Sequence, residues 1–216
     1  MIKAVLWDFG GVLTSSPFEA FTQYEQANGL PRDFIRSINA TNPDTNAWAQ
    51  FESNRISVED FDAAFAAESE ARGHLIRGQA VLSLLSGDIR PRMVQALKQI
   101  KQTHAVGCIT NNVKSGQGAG MARSESKAQA VAEVMALFDT VIESSLVGIR
   151  KPNPEIYLMA CRAMSIEPTE TLFIDDLGIN LKPAKALGMT TIKVLNEAQA
   201  LHDLSAALDL VLPSQA

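Results

Sequence analysis

The chain has 216 residues, 46% of them hydrophobic, and its Lys+Arg 19 against Asp+Glu 24 give a formal net charge of −5. That length and apolar content build one sizeable core with residues to spare for an inserted unit, and the acidic balance leaves no basic footprint for nucleic acid. No apolar run approaches the twenty or so residues needed to cross a bilayer, and the amino terminus enters a strand without a signal-peptide pattern, so a cytoplasmic protein with no membrane partner is expected.

The first stretch, Ile2 to Leu13, sets the frame. Ala4 to Trp7 is an apolar run too short for an ordinary helix and is followed by a Gly pair, which predicts a buried strand ending at Asp8. A carboxylate then stands at the carboxyl end of a strand, where open α/β sheets bind ligands. Gly10 and Gly11 let the backbone turn tightly and approach a ligand; a plain Asp-Gly turn is the competing reading.

From Pro17 to about Asp88 the periodicity turns helical. Phe18, Phe21 and Tyr24 are spaced by three; Phe34, Ile35 and Ile38 follow Pro31; Trp48 pairs with Phe51; and Val58, Phe61 and Phe65 follow a Ser57 cap with Glu59 and Asp60 in the first turn. Four or five short helices with a core of their own are predicted here, inserted after the first strand. A Pro91-started amphipathic helix then leads into a strand over Ala105 to Thr110, and the α/β alternation resumes. Strands are predicted at Thr140 to Glu143, Thr171 to Asp175 and Thr190 to Val194, with helices near Pro154 to Met164, Leu181 to Leu187 and Glu197 to Leu208. This alternation specifies an α/β fold with a doubly wound parallel sheet. Val113 to Ala130, rich in Gly, Ser, Ala and Lys, lacks the spacing of a dinucleotide loop and reads as a mobile loop beside the site. Cys108 and Cys161 fall in apolar patterns and read as buried free thiols.

Four strand ends carry polar residues: Asp8; Thr110-Asn111-Asn112; Lys151 before Pro152-Asn153-Pro154; and Asp175-Asp176. Each has an ordinary explanation as a turn or helix cap, yet a parallel sheet brings all of them to one edge. Three carboxylates crowded around one ammonium repel one another unless a cation joins them. An oxygen-rich set of this kind suits Mg²⁺ first.

Asp8-Phe9-Gly10-Gly11-Val12, Ile109-Thr110-Asn111, Gly148-Ile149-Arg150-Lys151-Pro152 and Phe173-Ile174-Asp175-Asp176 resemble the four ordered motifs of the haloacid dehalogenase superfamily. On that resemblance, residues 16–88 are the family's helical cap, and 1–15 with 89–216 its Rossmann-like core. Val141 to Ser145, Lys151 to Tyr157 and Asp175 to Lys182 are similar to the branch that holds the amino-terminal phosphatase domain of soluble epoxide hydrolase and a domain of multidomain acyl-CoA dehydrogenases.

The resemblance implies a magnesium-dependent phosphatase acting on a small phosphorylated metabolite, and it allows a homodimer. Asp8 would be the nucleophile, forming an aspartyl-phosphate. The Thr110 hydroxyl and Asn111 would hold the phosphoryl oxygens, and Lys151 would offset charge beside them. Mg²⁺ would bind Asp8, the Gly10 carbonyl and Asp176, with Asp175 and Asn180 organising its surroundings. One departure stands out: active phosphatases of the superfamily usually carry an acid/base Asp where this chain has Gly10. That admits a weakly active or non-catalytic ligand-binding protein as an alternative. A 2-haloacid dehalogenase would have no use for a metal, hence for Asp175 and Asp176, and Schiff-base phosphonate cleavage lacks its lysine, since none stands between Leu13 and Lys98. In the cap, Arg32, Arg36, Arg55, Arg72 and Arg77 are candidates to meet an anionic substrate, most of them expected to be solvated helix-face residues.

Overall fold

The computed structural model describes residues 1–112 and 125–213. Its sheet has five parallel strands, β1 (Ala4–Trp7), β2 (Ala105–Thr110), β3 (Thr140–Glu143), β4 (Thr171–Asp175) and β5 (Thr190–Lys193), in the spatial order β3-β2-β1-β4-β5. The register pairs Ala4 with both Ala105 and Thr171, and Trp7 with Cys108 and Ile174. Asp8 continues this ladder, its N–H donating to the Ile174 carbonyl at 2.9 Å. The carboxyl ends of β1, β2 and β4 are therefore level. The chain leaves β1 toward β2 on one side and returns to β4 on the other, so β1 lies where the winding reverses, the position at which open α/β sheets bind ligands.

Alternation along the strands builds two layers. Val5 and Trp7 of β1 join Val106, Cys108, Leu172 and Ile174 under helices α6 (Pro91–Ile100), α7 (Glu125–Met135) and α11 (Glu197–Leu208). Leu6 points the other way, with Ile109 and Phe173, onto α9 (Pro154–Met164) and α10 (Gly178–Ala186). Cys108 and Cys161 belong to opposite layers and are buried free thiols, as expected. A single turn, α8 (Ser144–Val147), follows β3 directly.

Between β1 and β2 lie α1 (Pro17–Ala27), α2 (Phe34–Asn39), α3 (Ala47–Glu52), α4 (Val58–Glu70) and α5 (Gly78–Ser83). Their side chains form a hydrophobic cluster drawn wholly from residues 18–85. At its centre Phe61, fully buried, stacks on Phe51 with ring centroids 4.5 Å apart and meets Trp48 and Phe65 at 5.7 and 5.5 Å. Local chemistry starts these helices: Ser57 and Asp60 make a reciprocal capping box on α4, and the Asn46 side chain accepts from Ala49 N–H on α3. Glu25, buried at the end of α1, accepts from the N–H groups of Asp33 and Ile35 and so pins α1 to the start of α2.

Two expectations need correction. The mobile loop predicted for 113–130 is too long: its last six residues open α7, because Glu125-Ser-Lys-Ala-Gln-Ala is good helix-forming sequence that places Val131 and Val134 on the sheet. The rest, 113–124, lies outside the described residues. Helix α10 starts at Gly178 rather than Leu181, and it carries Pro183 in its interior.

Phe61→Ala removes the ring on which the helical cluster converges and is expected to cost about 3–5 kcal/mol, read as a lowered midpoint in urea unfolding.

Candidate active site

Three strand ends and one loop bring the predicted residues together. Asp8 follows β1, Thr110 ends β2, Asp175 ends β4 with Asp176 next, and Lys151 lies in the loop between α8 and α9, one residue before Pro152 and joined to it by a cis peptide bond. Lys151 is 1% exposed and Asp175 0%. The Lys151 ammonium sits between two carboxylates, 2.8 Å from Asp8 Oδ1 and 2.9 Å from Asp175 Oδ2. Asp8 Oδ1 also accepts from Phe9 N–H at 2.6 Å.

Asp175 is held from all sides. Its oxygens accept from Leu177 N–H at 2.7 Å and from Asn180 Nδ2 at 3.1 and 3.0 Å, while Asn180 offers its own carbonyl to the Tyr157 hydroxyl at 2.8 Å. Asn180 thus orients Asp175. Gly11 has φ +77°, and a Cβ there would lie 2.2 Å from Asp176 Oδ2, so the turn after Asp8 admits only glycine at this position. Gly10 is different, since a Cβ there would meet nothing within 4 Å.

The Asn111 side chain is engaged with the main chain of Lys151. Its Oδ1 accepts from Lys151 N–H at 2.9 Å and its Nδ2 donates to the Lys151 carbonyl at 3.0 Å, a two-way clamp on the main chain that carries the ammonium. This clamp occupies the side-chain oxygen and one of the two Nδ2 hydrogens of Asn111. Its neighbour Asn112 bonds to Glu143 and Ser145 and ties β2 to β3.

One ligand oxygen from each of Asp8, Asp175 and Asp176 fits within 4.8 Å of the others. Burial raises Asp8 well above the usual carboxylate range, Lys151 opposes the rise, and Asp175 and Asp176 add to it. Burial and then Asp175 push Asp176 up to about 6. Burial alone would lower Lys151, but Asp175 and Asp8 outweigh it and hold the amine above its ordinary range. Three carboxylates against one ammonium leave two negative charges in a buried space, and an all-oxygen donor set with that residual charge fits Mg²⁺.

Above this floor opens a cavity of about 880 Å³. Phe18, Phe21, Trp48 and Leu85 of the helical insert give it apolar walls, while Asp8, Thr110, Lys151 and Asp176 lie at its base. Of the five arginines singled out in the insert, Arg36 alone lines it, with its guanidinium 4.4 Å from the Phe18 ring centroid. Arg72 is turned onto Ser37 and Thr41, Arg77 onto Asp62, and Arg32 toward Asp33. Two lining residues escaped the sequence reading. Glu52 of α3 pairs with Arg150, the residue before Lys151, at 2.9 Å; burial raises the Glu52 carboxyl and Arg150 opposes the rise. Partners 98 positions apart in the chain leave no local pattern to find.

The fold and this strand-end constellation define a class, and the family model for haloacid dehalogenase-like hydrolases matches residues 2–188: the chain belongs to that family. Among its relatives is mouse acyl-CoA dehydrogenase family member 10, 33% identical over 95% of this chain, of which the chain spans 19%. Sesquiterpene phosphatase astK of Aspergillus oryzae is 26% identical, the match covering 94% of each chain. A solved structure of a family enzyme from Bacteroides thetaiotaomicron, in complex with magnesium and inorganic phosphate, shares the fold with a TM-score of 0.57 at 23% identity, over 89% of this chain and 94% of that one.

Asn111→Ala removes both hydrogen bonds that the Asn111 side chain makes to the Lys151 main chain, in a part-buried position. It is expected to cost about 1–3 kcal/mol, measured by urea denaturation.

Proposed function

We propose that the chain is a magnesium-dependent phosphatase that transfers the phosphoryl group of a small phosphomonoester to Asp8 and then to water. The observation that carries this reading is the Asp8 carboxylate held by a buried ammonium at 2.8 Å, with Asp176 beside it, at the base of a cavity roofed by the insert. The insert thereby acts as a cap over the sheet edge. The aromatic walls favour a substrate whose organic part is apolar, in keeping with the name of the Aspergillus oryzae relative.

In the first step an Asp8 oxygen forms a bond to phosphorus as the bond to the ester oxygen breaks, and that oxygen leaves with the electron pair. The Thr110 hydroxyl and the Asn111 main chain hold the phosphoryl oxygens, and Lys151 offsets their charge while keeping Asp8 in line. In the second step a water oxygen bonds to phosphorus, the bond to Asp8 breaks, and the water proton passes to solvent. Asp8, Asp176 and the Gly10 carbonyl would hold Mg²⁺, with Asp175 behind them. The ion would supply charge neutralisation and alignment of the phosphoryl group.

Gly10 brings no side chain to protonate the leaving oxygen, and this favours a second reading, in which the same cavity binds a phosphorylated ligand with little or no turnover. The space beside Gly10 makes the two readings separable. p-Nitrophenyl phosphate, whose leaving group departs unprotonated, should be hydrolysed with Mg²⁺, not after EDTA treatment, and not by Asp8→Asn; absence of turnover in a folded, Mg²⁺-binding protein would favour the binding reading. Gly10→Asp should raise kcat for alkyl phosphates by about 10²- to 10⁴-fold and much less for p-nitrophenyl phosphate, measured as the ratio of the two rates.

A further inference from the structure

One of the contacts between the insert and the core is made by a buried carboxylate. Glu52, the last residue of α3, has its main-chain carbonyl 3.0 Å from the Ser144 hydroxyl, and the same hydroxyl oxygen accepts from Asn112 N–H at 3.1 Å. Its side chain pairs with Arg150 Nη1 at 2.9 Å, and Trp48 stands one helical turn back on the same helix. Arg150 also donates through Nη2 to the Pro43 carbonyl of the insert, while Nη1 lies 3.5 Å from the Lys151 carbonyl. That carbonyl is the one Asn111 holds. A single residue of the insert is therefore bonded directly to Arg150, next to Lys151, and through the Ser144 hydroxyl to the Asn112 end of β2.

We infer that Glu52 and Arg150 are positioning residues through which the helical insert sets the placement of Lys151. The inference rests on the phosphatase reading for its kinetic consequence and on the contacts alone for its structural one. Arg150 suits the role because its planar fork meets acceptors on the insert and on the Lys151 main chain together, which a lysine at this position cannot reproduce. Trp48 and Glu52 share one face of α3, so pressure of a substrate's organic part on the Trp48 wall reaches Arg150 through a short, rigid path. Binding contributed by the part of the substrate that does not react would then appear as rate. Arg150 lines the cavity, but its fork is turned onto Glu52, Pro43 and Lys151, which assigns it to placement rather than to substrate contact.

The test combines steady-state kinetics on p-nitrophenyl phosphate with hydrogen exchange on the full chain. Arg150→Met should lower kcat by about 10- to 100-fold with KM within about threefold, and Arg150→Lys should not restore it. Glu52→Gln, which keeps an acceptor for Arg150, should recover most of the kcat lost in Glu52→Ala. The double variant Glu52→Ala/Arg150→Met should be no slower than Arg150→Met, because both break one link. In Arg150→Met the Lys151 main-chain N–H should exchange faster while the amides of β4 do not change. An unaltered kcat overturns the inference, as does a raised KM with kcat unaltered, which would place Arg150 on the substrate, or losses that multiply in the double variant. If the wild-type protein turns over nothing, the phosphatase reading falls, and the Lys151 exchange rate alone decides whether the link stands.

Discussion

The site depends on one buried ammonium shared by two carboxylates. Lys151 lies 2.8 Å from Asp8 and 2.9 Å from Asp175, on neighbouring parallel strands β1 and β4 whose register places the two acids side by side. Burying a charge is costly unless it is paired and hydrogen-bonded, and much of the surrounding architecture meets that condition. Asn111 holds the Lys151 main chain from β2, and Asn180 and Leu177 saturate Asp175 from α10 and the residue before it. The sheet edge is rigid here because the ion pair would be unfavourable in any looser arrangement.

The pairing is incomplete by design of the sequence. Lys151 answers one negative charge out of three, and Asp176 is pushed up to about 6, by burial first and then by Asp175. Under the proposed function a hard divalent cation would offset that excess. The two glycines after Asp8 divide the remaining work. Gly11 is required sterically, because its Cβ would strike Asp176, whereas Gly10 faces open space and is a chemical choice, not a packing one. A residue without a side chain at position 10 is therefore compatible with the fold and with the carboxylate cluster.

The parallel sheet, the strand ends and the inserted helices were legible because each rests on a short-range pattern. Ala4–Trp7 is an apolar run closed by Asp8 and glycines, Pro91 and Asn153-Pro154 open helices, and Ser57 with Asp60 starts α4. The convergence of Asp8, Asp175 and Asp176 follows from parallel topology, whereas Lys151 comes from the loop after α8 and is held in place by Asn111. Other features were hidden because they are relations between distant residues. Nothing near Asn111 tells that its amide will clamp Lys151, and nothing near Glu52 or Arg150 tells that they meet. Which insert arginine would face the cavity was equally hidden, because helical periodicity shows a helix face but not its neighbour: Arg36 packs on Phe18 across the α1–α2 turn, while Arg72 and Arg77 find partners within the insert.

These distances separate two kinds of specificity. The base of the cavity is built from carboxylates and a threonine at strand ends and a lysine from the loop after α8, the groups that under the proposed function would hold a phosphoryl group and a metal. The walls are built from Phe18, Phe21, Trp48 and Leu85, whose positions depend on a separate hydrophobic cluster that shares no buried residue with the sheet layers. Two cores of that kind would drift relative to one another if only apolar surface joined them, because apolar contact is non-directional. A charged fork with fixed geometry is directional, and the Glu52–Arg150 pair stands at the boundary, one helical turn from the wall at Trp48 and adjacent in sequence to Lys151. The chemistry of the floor can thus remain constant while the walls vary, provided that the pair between them is kept.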